Sequence, residues 1–143
     1  MTTPALKGVH HLAVVVADLP RAERFYVKLL GLPVLKRWCD AAGKPRSLWV
    51  KIRGREFLAL ELAHRARPQR HPEAPGWHCV AFKIDVDDRR LWRRRLQAAG
   101  IPLVRESDYT LYVLDPDGNL VGLSHYPKRS PQGGAGIARG HRR

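Results

Sequence analysis

The sequence predicts an α+β fold made of two βαβββ modules, and three observations carry that expectation. The first is an internal repeat. His11 to Asp18 reads HLAVVVAD and His78 to Asp85 reads HCVAFKID, at an offset that also pairs Phe25 with Trp92 and Leu29 with Leu96. Self-similarity of this kind marks a duplicated unit. The second is the alternation of helical and strand periods within each half. The third is punctuation: Gly31-Leu32-Pro33 and Gly100-Ile101-Pro102 close the two helical stretches in the same way, as glycine just past a helix end does.

In the first module, residues 9–17 form an apolar run that reads as a strand. Residues 20–30 place Ala22, Phe25, Tyr26 and Leu29 on one helical face. Strands are expected over 33–39, 47–53 and 56–63, separated by Ala42-Gly43-Lys44-Pro45 and Arg53-Gly54-Arg55. The second module repeats the order: a strand at 77–85, a helix at 87–99, then strands at 102–106, 109–114 and 119–125. Asp115-Pro116-Asp117-Gly118 joins the last two as a turn. The modules span 8–63 and 77–126 of a single domain covering 1–126. Between them, residues 64–76 are rich in Pro and Arg and read as a linker. Residues 127–143 read as a basic, flexible tail.

The chain has 143 residues and a formal net charge of +13. It is long enough to bury a core without cross-links. Cys39 and Cys79 give neither a disulfide framework nor a zinc-ribbon spacing. The apolar run from Leu12 to Ala17 is too short for a signal peptide core or a bilayer span, so a cytoplasmic protein with no membrane partner is expected. The charge invites a nucleic-acid reading. However, the tail holds five of the positive charges and no acid. The cluster Arg89, Arg90, Arg93, Arg94 and Arg95 lies on a helix whose apolar face includes Leu91, Trp92 and Leu96, which puts the arginines mostly on the solvated side. No recognition-helix or aromatic-platform motif accompanies them, and nucleic acid is not the expected partner.

Side chains alternate along a strand, so His11, Ala13 and Val15 share one face. The repeat sets His78 at the position of His11. Glu61 lies inside the apolar run Phe57-Leu58-Ala59-Leu60-Glu61-Leu62, where a carboxylate is costly without a partner or a metal. Two imidazoles and one carboxylate suit a divalent transition metal with open coordination positions.

Five features in this order carry a resemblance: His11 seven residues before Asp18-Leu19, Phe25-Tyr26 before Leu30-Gly31-Leu32, Ala59-Leu60-Glu61-Leu62, Gly76-Trp77-His78, and Asp115-Pro116-Asp117-Gly118-Asn119. Over residues 8–126 the sequence resembles the vicinal oxygen chelate superfamily. That group includes glyoxalase I, extradiol dioxygenases, and fosfomycin and bleomycin resistance proteins. The resemblance implies modules curled into half-barrel clefts and four metal positions. Of these, His11, Glu61 and His78 match three, and Gly122 stands where the fourth, an acid, is normal. Ser124 shares the parity of position 122, whereas His125 should point away.

What the resemblance implies is a divalent-metal-dependent enzyme (Fe, Mn, Ni, Co or Zn) acting on a small, oxygen-rich organic substrate as a dioxygenase, isomerase, epimerase or lyase. Tyr109, Tyr112 and Ser124 are the candidates for proton transfer. Glyoxalase I itself is disfavoured by Gly122 and by Val15, which stands where that enzyme tends to carry an arginine. The alternative is a metal-free protein that sequesters a small molecule such as an antibiotic, its metal site degenerate. A homodimer is implied in either case.

Overall fold

The computed structural model describes residues 3–65, 68–69 and 71–130. Residues 66, 67 and 70 of the linker, and 131–143 of the tail expected to be flexible, lie outside the described residues. The chain divides into two compact units. One comprises residues 1–71 with the turn 115–118, the other residues 72–114 and 119–143.

In the first unit, β1 (His11–Val16) leads into helix α1 (Leu19–Glu23). Asp18 caps α1 by accepting a 2.7 Å bond from the Arg21 amide, and Pro20 fills the first turn, where no amide hydrogen is needed. The helix continues as a wider π-helical turn over Arg24–Leu29. Three antiparallel-linked strands follow: β2 (Val34–Cys39), β3 (Pro45–Arg53) and β4 (Glu56–Leu62). The sheet order is β1-β4-β3-β2, with β1 parallel to β4. That order returns the last strand beside the first, leaving β1 and β2 at the edges.

One face of this sheet packs under α1. Val16, Leu48, Val50, Leu58 and Leu60 are buried there with Ala22, Phe25 and Tyr26 of the helical stretch. The alternate residues make the other, open face: His11, Ala13 and Val15 on β1, Ser47, Trp49 and Lys51 on β3, Phe57, Ala59 and Glu61 on β4. The 115–118 turn belongs to this unit through polar contacts. Tyr26 donates to Asp115 at 2.7 Å, and both Arg21 and the Ala17 amide donate to Asp117.

The second unit repeats the plan. β5 (Val80–Lys83), a 3-10 turn (Val86–Asp88), α2 (Arg89–Ala98), β6 (Arg105–Glu106), β7 (Thr110–Leu114) and β8 (Leu120–Ser124) form a sheet in the order β5-β8-β7-β6, with β5 parallel to β8. Gly100 ends α2 at φ +71°, with Ile101 bonded back to Leu96 and Gly100 to Gln97. That is the left-handed stop only glycine adopts without strain.

Two sequence expectations need correction. The strand expected over 77–85 is only Val80–Lys83, because β8 starts at Leu120. Position 78 would otherwise have to pair with the turn residue Asn119. On α2 the apolar face does not include Leu91, and Arg89 takes a place on the buried side. Arg89 is 8% exposed, whereas Leu91 is 55% exposed.

Candidate functional site on the open sheet faces

Of the expected metal residues, His11 is the exposed first residue of β1, Glu61 is half-buried near the end of β4, and His78 is exposed two residues ahead of β5. His11 and Glu61 share the open face of the first sheet, but His11 pairs with Phe57 and Glu61 with Val15. Four register positions separate them, about 13 Å along the strand. Each is already engaged. The His11 ring stacks on Phe57 at 4.9 Å, and its Nδ1 lies 2.9 Å from Nδ1 of His10. Glu61 accepts a 2.8 Å bond from the Ser47 hydroxyl, itself buried. His78 belongs to the second unit.

Gly122 explains its own identity. It pairs with Ala81 on one side and Tyr112 on the other. A Cβ there would meet Thr110 Cγ2 at 3.1 Å and Ala81 Cβ at 3.3 Å, tighter than side chains pack unless neighbours give way. Thr110, the nearest neighbour, donates its hydroxyl to Ser124 at 2.9 Å. Two imidazoles and a carboxylate suit a divalent ion in kind. Among the described residues, no group of three or more His, Cys, Asp or Glu side chains stands together to hold an ion.

The proton-transfer candidates are spread over the second unit. Tyr112 lies on the open face under the Arg105 guanidinium, 4.1 Å from its ring centroid. Ser124 is on the same face and also accepts from the Tyr126 amide at 3.4 Å. Tyr109 precedes β7, packs edge-on to His125 and Tyr126, and accepts from Arg129. His125 points to the other side, as its parity requires. Arg89 donates to its Nε2 at 2.8 Å, and its Nδ1 lies 2.6 Å from the Lys128 carbonyl. Arg89 also donates to Glu106 and to the Ser107 carbonyl. The Arg93 and Arg89 guanidiniums hold the Glu106 carboxyl below its ordinary value.

The residues that sequence reasoning missed are aromatic. Across the open face of the first sheet, Trp38 meets Trp49 at 5.2 Å, Trp49 stacks on Phe57 at 4.4 Å, and Phe57 stacks on His11. Lys36 places its Nζ 3.7 Å over the Trp38 ring. The signal was available: Lys36 and Trp38, then Ser47, Trp49 and Lys51, recur at the two-residue period of one strand face. Two buried polar atoms of this row, Nε1 of Trp38 and Nε1 of Trp49, have no hydrogen-bond partner.

Comparison with known proteins follows the same lines. The sequence profile of the Glyoxalase/Bleomycin resistance protein/Dioxygenase superfamily matches residues 8–123. Glutathione transferase FosA of Serratia marcescens is 29% identical over 122 residues, covering 82% of this chain and 80% of that one. A glyoxalase/dioxygenase from Nostoc punctiforme superposes with a TM-score of 0.72 at 21% identity, covering 90% of this chain and all of the other. A variant of the fosfomycin resistance protein FosX from Listeria monocytogenes, solved with Mn(II) and 1S,2S-dihydroxypropylphosphonic acid, superposes at 0.67 with 16% identity, covering 85% and 93%.

Proposed function

Because the chain belongs to the Glyoxalase/Bleomycin resistance protein/Dioxygenase superfamily, whose members bind small molecules, we propose that it binds a small organic molecule on an open sheet face and acts by sequestering it. The observation that carries this reading is the pair of features at the two faces. The first carries a row of stacked aromatic rings. On the second, Gly122 stands at the acid position, where a Cβ would be crowded by Thr110 and Ala81. An apolar face with a few convergent polar groups is the ordinary form of a small-molecule site. In the same reading the protein is a homodimer.

A second reading, a divalent-metal-dependent enzyme, is favoured by the likeness to FosA. There His11, Glu61 and His78 would hold the ion, which would supply Lewis-acid stabilisation of an anionic oxygen-rich substrate.

Metal analysis of tag-free protein after dialysis against Mn, Fe, Co, Ni and Zn separates the two. The sequestering reading expects below about 0.1 ion per chain, since a catalytic site needs its ion in stoichiometric amount. It also expects that Gly122→Glu gains none and melts at lower temperature. Near-stoichiometric metal that is lost in His78→Ala would establish the second reading instead.

A further inference from the structure

The second unit carries a buried contact that neither open face uses. His125 lies just past the end of β8 and is 3% exposed. Both its ring nitrogens are engaged. Nε2 is 2.8 Å from the Arg89 guanidinium of α2, and Nδ1 is 2.6 Å from the carbonyl of Lys128. A guanidinium offers donors and no acceptor, whereas a carbonyl accepts and cannot donate. One form of the ring satisfies both neighbours: a bare Nε2 and a single proton on Nδ1.

That contact fastens the segment after β8. The Lys128 amide donates to the His125 carbonyl at 3.0 Å, so the two residues close a turn through both backbone and ring. Arg129 then donates to the Tyr109 hydroxyl at 3.2 Å, and the Tyr126 ring packs against Tyr109 at 5.2 Å. Tyr126, Pro127, Lys128 and Arg129 are otherwise exposed, and no strand pairing holds them.

A second proton on the ring has no favourable place there. On Nε2 it would set donor against donor, and a positive ring 2.8 Å from a positive guanidinium, away from water. The surroundings supply no compensating charge. Among the described residues, the titratable groups set against the ring are Arg89, from α2, and Tyr109, whose ring centroid is 6.2 Å away and whose hydroxyl accepts from Arg129. Glu106 is already shared by Arg89 and Arg93, and Asp108 exerts its charge on Arg129. Protonation therefore favours a ring that has left this position.

We propose that His125 is a proton-operated latch: with Nε2 bare it fastens residues 126–130 to the second unit, and on taking up a second proton it withdraws from Arg89 and releases that segment while β7 and β8 stay paired. The latch operates between about pH 8 and pH 5, where imidazoles change charge. Its output is the accessibility of the stretch that carries Tyr126, Lys128 and Arg129.

The full chain, isotope-labelled and followed by NMR across that interval, tests this. Ring-nitrogen shifts report which nitrogen holds a proton, and amide shifts report order along the chain. The expected result is a bare Nε2 and a protonated Nδ1 at the alkaline end. On acidification the ring takes up its second proton, and over the same interval the amides of Tyr126, Lys128, Arg129 and Ser130 move to random-coil positions. Those of Val121 and Leu123 should stay. His125→Gln can accept from Arg89 and takes no proton, so it should show no transition, whether its segment is docked throughout or loose throughout. Arg89→Met removes the opposing charge and should let the ring protonate at a pH higher by about half a unit or more.

A ring that is doubly protonated with the segment still docked overturns the proposal. So does a proton found on Nε2 at the alkaline end, a ring and segment that do not change across the interval, or a transition that persists in His125→Gln. Loss of the Leu123 signal together with the segment would mean general acid unfolding, and this also overturns it. If Arg89→Met does not fold, the coincidence of the two changes in wild type and the behaviour of His125→Gln decide.

Discussion

Tyr26 sits in the most protected part of the first unit, 2% exposed, with its hydroxyl donating to Asp115. Burial first, then the Asp115 charge and the hydrogen bond, push its phenol well above the ordinary value of 10. A raised value in the folded state means a contribution to stability that is whole below the unfolded value of about 10 and declines as pH rises beyond it. Tyr26→Phe should therefore cost about 1–3 kcal/mol at pH 8, the penalty for leaving a buried acceptor short of its donor. The gap between variant and wild type should narrow between pH 10 and pH 11.5. Urea midpoints at three pH values measure both. Gly122 makes the complementary point about space. Its substitution by Glu should destabilise by roughly 1–3 kcal/mol, the usual range for overpacking, as read from the same denaturation curves.

At the scale of elements, α2 is anchored by a charged residue rather than by its exposed Leu91. Arg89 is held by His125, Glu106 and the Ser107 carbonyl. Arg89→Met should cost roughly 1.5–3 kcal/mol, in the range of hydrogen bonds that involve a charged group. Arg89→Lys should recover only part of this, since an ammonium cannot reproduce the fork. Glu106, lowered by Arg93 and Arg89, gives stability that is present above its ordinary value of 4.5 and is lost as pH falls below it. An acid titration of stability should thus be shallower in Arg89→Met than in wild type.

This element also shows how much the sequence disclosed. The order of strands and helices was legible, because apolar runs and their glycine stops are local signals. That Arg89 lies on the buried stripe was legible too, since it stands seven residues before Leu96, but hydropathy alone places an arginine in water. The length of β5 was not legible, because it is set by where β8 begins, some forty residues away. The aromatic face was missed for a different reason. Its rings are brought together across strands, and only the register shows that Trp38, Trp49 and Phe57 meet. The metal residues were singled out by the internal repeat, by strand parity and by a carboxylate in an apolar run, and the family likeness matched the same positions. It could not give the four-position offset between His11 and Glu61.

Taken as a whole, the molecule divides its +13 charge unevenly along the chain. The helix arginines and the residues after 126 hold much of it. Binding to duplex DNA should therefore be weak and vanish by about 0.2 M salt, as counterion release dictates for a few phosphate contacts. A filter-binding or anisotropy titration across salt checks this. Among the described residues no helix is long and apolar enough to cross a membrane.

The turn 115–118, which belongs by contact to the first unit, has a consequence for biosynthesis. Residues 1–71 leave the ribosome with Tyr26 lacking the acceptor it will be buried against. At about 5–20 residues per second, a few seconds pass before Asp115 is made. During that interval the first unit is a partner-seeking intermediate that only the distant turn can finish. Severing the chain between the modules would therefore yield an incomplete first half rather than two independent ones.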